Sequence, residues 1–239
     1  MNAHAALIMG IPALVALGGG LLATVWKPSH ETRSLIQHFA AGVVLAALAV
    51  ELLPDIANEH APGPVLAGAF ALGSLFMYAL KLWTLRLEHR AEANAAGAAS
   101  NTGLLLATFI DVATDGFIIG AGFAAGGETG TILALGLSVE LLFLGLALVS
   151  EANAGWRIVA ISGALGGTVL SFALIGNFLL AGASHAVIGG ALAFSAAALL
   201  YLVTEELLME AHTVEEKPFS TLVLFAGFLA FWSIQLLGR

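Results

Sequence analysis

Six acidic side chains, Glu51, Asp111, Asp115, Glu140, Glu205 and Glu206, interrupt stretches of this chain that are otherwise apolar. A carboxylate in hydrocarbon costs about 2.5 to 3.5 kcal/mol on insertion scales, and ionisable groups placed there usually serve function. Asp111 and Asp115 are spaced i and i+4, so on a helix they share one face. Glu140 falls near the centre of the next apolar stretch, and no Lys, Arg or His is expected at the depth of these three acids. Such a group needs protons, water or a bound cation. A cation is the expected occupant, with Asp111, Asp115 and Glu140 as its metal ligands. The chain has no cysteine, so any metal must be held by oxygen or imidazole nitrogen.

Two more acidic groups stand nearer the ends of their stretches. Glu51 and Asp55 are again i and i+4, with His60 beyond, and Glu205, Glu206 and Glu210 are followed by His212. Either group alone reads as a solvated helix end. Together with the central acids they outline a path: Glu51 and Asp55 at an entry, Glu205, Glu206, Glu210 and His212 at an exit.

The elements that must carry these residues follow from composition. Of 239 residues 59% are hydrophobic and 10% charged, with a mean hydropathy of +0.97, against roughly 25% charged in soluble domains. That excludes a soluble globule and a disordered chain. Apolar stretches run over 4–26, 36–54, 63–86, 102–124, 130–150, 156–181, 186–209 and 219–238, each near the roughly 20 residues that cross a bilayer. The predicted fold is a single all-α membrane domain, 1–239, of eight spans. No basic residue precedes Lys27, so the first stretch is expected to be a retained span rather than a cleaved leader. Asp111 and Asp115 then lie about 3 Å to either side of the centre of the fourth span.

Charge gives the orientation. Lys27, Arg33, Lys81, Arg86, Arg90, Arg157 and Lys217 fall on one side of the predicted spans and only Arg239 on the other. Basic loops stay in the cytoplasm, which puts both termini outside and the protein in the cytoplasmic membrane. The 16 acidic against 8 basic residues argue against nucleic acid as a partner. They favour a cation. No GxxxxGK[ST] loop is present, so ATP does not drive this chain by that motif.

An internal repeat is also legible. Glu51-Leu-Leu-Pro-Asp55 aligns with Glu206-Leu-Leu-Met-Glu210, and Ala40-Ala41-Gly42 falls opposite Ser195-Ala196-Ala197. Asp111-x-x-x-Asp115-Gly116 similarly matches Glu140-x-x-x-Leu144-Gly145. The paired spans run in opposite directions, so the repeat is inverted, a recurrent plan of secondary transporters. His30, His38 and His185 are expected at helix ends in interfacial water. Asn177 and Ser171 are expected to bond to neighbouring helices, and the runs Gly18 to Gly20 and Gly163 to Gly167 to provide close helix contacts.

The segments Ala41-Gly-Val-Val-Leu-Ala-Ala47, Glu51-Leu-Leu-Pro54, Leu200-Tyr-Leu-Val-Thr-Glu-Glu-Leu-Leu208 and Phe225-Ala-Gly-Phe228 resemble the second and the last two spans of the ZIP family of divalent metal transporters. The resemblance implies eight helices in a three-two-three inverted arrangement, a metal site on spans four and five, extracytoplasmic termini and a homodimer. It implies transport of a divalent cation across the membrane. Zinc is the first expectation, with manganese or iron open because the retained ligands are all carboxylates. That family usually reads His-Asn-x-Pro-Glu-Gly in span four and His-Glu-x-Pro-Glu-Gly in span five. Here Val112, Leu141 and Leu144 occupy ligand positions, which argues against a second metal, and both prolines are missing, which predicts straighter helices.

Two other functions fit part of the pattern: a ZIP-like metal sensor or scaffold that no longer transports, and a proton-coupled transporter of another small solute. An intramembrane aspartyl protease needs its two Asp residues on separate helices. Here both lie on one, so no enzyme, catalytic residue or organic cofactor is expected.

Overall fold

The computed structural model describes residues 3–93, 98–147, 155–211 and 218–238, and among them it contains helices and no strand. Helix is the element in which a lipid-embedded chain satisfies all its backbone groups internally. Eight long helices follow one another. They are α1 Ala3–Val25, α2 His30–Asn58, α3 Gly63–Ala93, α4 Ala98–Ala125, α5 Gly127–Ala147, α6 Trp156–Leu180, α7, which runs from His185 to Ala211, and α8 Pro218–Gly238. All eight are long and apolar enough to cross a membrane, so the protein is a multi-pass membrane protein.

α3 runs seven residues past its expected end, to Ala93, and α2 starts six residues earlier than the apolar run suggests. Glu31, Arg33, Ser34 and Gln37 break the hydropathy of that turn, yet Ser29 caps it, its Oγ accepting the Thr32 N–H at 3.2 Å. His38 is consequently buried inside α2, its Nδ1 2.8 Å from the Ser34 carbonyl, and not in interfacial water. His30 and His185 are exposed at their helix starts, as expected. The tight turn before α7 closes through Gly182, whose φ of 76° is the left-handed region that glycine adopts freely.

α2 and α7 are each interrupted by one π-helical turn, Leu48–Leu52 and Val203–Leu207. Pro54 follows the first and has no N–H to give the Val50 carbonyl. Proline is not required for the turn, because α7 makes the same one with Met209 at the matching place. The spacing is regular: His30 and His185, Leu48 and Val203, and Gly63 and Pro218 each begin matching elements 155 residues apart, the difference between 185 and 30. By contrast, α4 and α5 run uninterrupted, in line with their missing prolines.

The helices pair accordingly. α1 packs on α5 and α6, α4 on α6 and α5, α2 on α8, and α3 on α7. Small residues bring the backbones together: a Cβ at Gly42 of α2 would stand 2.9 Å from the Phe228 nitrogen of α8, and one at Gly145 of α5 would stand 2.7 Å from the Gly19 carbonyl carbon of α1. Gly20 and Gly166 make similar approaches, whereas Gly18 and Gly167 face open space. Ser171 bonds to the Gly167 carbonyl of its own helix instead of a neighbour. The core gathers residues of α2, α4, α5 and α7, among them Val112, Leu137, Leu192 and Leu199. α1, α3 and α8 turn large side chains such as Leu7, Leu72 and Phe225 outward, as lipid contact demands.

Candidate metal centre

Asp111, Asp115 and Glu140 converge. One carboxylate oxygen from each lies within 4.8 Å of the other two. α4 supplies the aspartates from consecutive turns of one face, and α5, which crosses against that face, supplies the glutamate. The register is held by close packing on either side. Gly116, next to Asp115, lets α4 approach the Val169 backbone of α6, and Val112 and Leu141, each beside a ligand, are sealed in the apolar core.

Burial is deep. Asp115 is 1% exposed and Glu140 7%, while Asp111 is half-buried. Asp111 Oδ1, both oxygens of Asp115 and Glu140 Oε2 are buried without a hydrogen-bond partner. Buried polar atoms normally find partners, and these oxygens, gathered in one place, have none. Two unit charges 4.8 Å apart repel by about 3.5 kcal/mol at an effective dielectric of about 20. The cluster therefore needs positive charge, as protons or as a cation. All its donors are carboxylate oxygens, which suit Mn, Fe(II) or Mg and are also accepted by Zn.

Two residues outside the triad act on it. Glu206, from the π turn of α7, faces Asp111 closely enough to share a hydrogen bond with it and acts electrostatically on Asp115 and Glu140. It belongs beside the centre, not only on a distant exit. Lys81 of α3 attracts Asp111.

The remaining predicted path residues separate. Glu51 is buried at the π turn of α2, where Gln235 Nε2 of α8 donates to its Oε2 at 2.6 Å. Asp55, one turn on, accepts from Thr129 Oγ1 at the start of α5. Neither joins the triad. Beyond them, His60 Nδ1 lies 2.5 Å from the Asn58 carbonyl and His185 Nδ1 2.7 Å from Glu59 Oε2. Glu205 is exposed, Glu210 belongs to the last turn of α7, and His212 lies outside the described residues. Gln235 and Thr129 escaped the sequence reading. A lone amide inside an apolar span was the available signal for Gln235, and nothing in its own run marked Thr129. No family model matches the chain, and no curated protein is significantly similar to it.

Proposed function

We propose that this protein is a ZIP-like secondary transporter that carries a divalent metal cation across the cytoplasmic membrane, zinc first, with manganese or iron also accommodated. The observation that carries this is the gathering of three acids from two helices inside a multi-pass bundle, with four of their oxygens buried and without a hydrogen-bond partner. The cation is the substrate, held by Asp111, Asp115 and Glu140. Glu206 offers the next carboxylate on its way out.

The constant 155-residue spacing of matching helices supports an inverted repeat in which α1, α2 and α3 correspond to α6, α7 and α8, with α4 and α5 between them. The helix pairing has the same regularity: α1 on α5 answers to α6 on α4, and α2 on α8 to α7 on α3. Two such halves can exchange conformations and expose a shared central site to each side in turn. With the basic residues cytoplasmic, both termini are outside, Glu51 and Asp55 are on the outer side and Glu205 and Glu206 on the inner.

Uptake by reconstituted protein tests the proposal, with Zn, Mn, Fe, Cd, Co and Mg offered in parallel. At least one divalent metal should accumulate, and Asp111→Ala or Asp115→Ala should reduce its rate to the protein-free background. Full rates in both variants would overturn the site. Metal bound without flux would instead support the sensor or scaffold, to which the apolar Val112, Leu141 and Leu144 lend weight.

A further inference from the structure

Gln235 is an amide on an otherwise apolar helix, and its position is explained by what it holds. Its Nε2 donates to Glu51 Oε2 at 2.6 Å and approaches the Val50 carbonyl at 3.4 Å. That carbonyl is the one Pro54 leaves without an α-helical donor. Thr129 holds Asp55 a turn further along, so the outer limb of α2 is fastened to α8 and to α5 together.

The matching limb of α7 is not built this way. Positions 155 residues away from Gln235 and Pro54 are Leu80 and Met209, so there the side-chain amide is absent and the backbone N–H retained. Burial differs in step. Glu51 is buried and Glu206 half-buried, and Leu52 is fully buried where Leu207 is half-buried. Before its π turn, each of these helices flanks an apolar groove lined by corresponding aromatics, Phe39 and Phe231 for α2 and Phe194 and Phe76 for α7. The groove against α4, on the α7 side, measures about 520 Å³ and its counterpart against α5 about 270 Å³. Fastening and burial at the limbs thus point the same way, and the groove volumes beside the same helices agree: the α2 side is drawn together and the α7 side is looser.

We propose that Gln235 is a positioning residue for the transport step: by pinning Glu51 to α8 it keeps the α2 side sealed, and the protein rests with the α7 side turned to the carboxylate centre. This rests on the two halves being an inverted pair that exchange conformations. Release of Glu51 from Gln235 lets α2 take the looser arrangement that α7 has at rest, while α7 closes.

The absence of native cysteine permits a direct test on the full chain in proteoliposomes, with a small water-soluble thiol reagent on both sides. With Gln235 intact, Leu207→Cys should react and Leu52→Cys should be protected. Adding Gln235→Leu should raise labelling at position 52 by about tenfold, the scale of one hydrogen bond to a buried carboxylate, and lower it at position 207. Glu51→Gln, which leaves Gln235 an acceptor, should retain the protection. Reciprocal change marks a shift between two states. If both positions became more reactive together, Gln235 would be only a brace, and if neither changed it would have no role at the gate; either result overturns the proposal. Labelling requires no metal, so uptake indifferent to Asp111 would overturn the metal site without deciding the labelling result.

Discussion

Asp115 is the most deeply buried of the three clustered acids, and neither of its oxygens has a protein partner. Its charge works against the fold unless a cation answers it, which is the usual tension between stability and a functional site. Asp115→Asn keeps the shape and removes that charge. The metal-free variant should melt higher than the parent, by about 2 to 4 °C for each kcal/mol relieved. It should also lose most of the rise in Tm that added Zn or Mn gives the parent, because a ligand stabilises only the state that binds it. Melting curves in detergent with and without metal check both halves, and an unchanged metal response would remove Asp115 from the ligand set. This trio was legible in the sequence because acids are costly in an apolar run and i, i+4 spacing fixes a face. Gln235 was not, since a single amide carries no charge penalty and its partner lies 184 positions away.

Among the elements, the apolar runs were readable to within a few residues, and the failures have physical causes. The first turn of α2 is polar but capped and packed, so hydropathy misplaced its start. The π turns left no trace in composition, because a turn closed five residues back uses the same side chains as one closed four back. Helix contacts were better foretold by small residues. Gly116 tests that at the site itself: a Cβ there would lie 2.8 Å from the Phe172 Cβ and 3.1 Å from the Val169 carbonyl carbon of α6. Gly116→Ala should wedge α4 from α6 at a cost of about 1 to 3 kcal/mol and tilt Asp115 with it. A lower Tm together with slower metal uptake is the expected outcome. Gly167→Ala, where the added methyl meets nothing, serves as the control and should leave both unchanged.

At the scale of the whole molecule, long-range contacts sort the turns by face. Thr129 beside the α4–α5 turn bonds to Asp55 beside the α2–α3 turn, and Glu59 of that turn pairs with His185 beside the α6–α7 turn. These three turns therefore lie together. Residues 59–62, 126 and 181–184, which form them, include no Lys or Arg, whereas the α1–α2 turn on the opposite face has Lys27. Even alternation of helices and charge asymmetry thus agree, although one rests on packing and the other on the cost of moving cations through the membrane. If the basic face is cytoplasmic, His60→Cys in the cysteine-free chain should be labelled by an impermeant maleimide in intact cells. Pro28→Cys should be labelled only after the cells are opened. The reverse pattern would invert the protein, making the Glu51 side the inner one, so that Gln235 would seal the exit and leave the entry open. Labelling of both positions from outside would break the alternation on which the inverted pair depends. The two cysteines therefore decide which direction of metal movement the resting conformation is poised to serve.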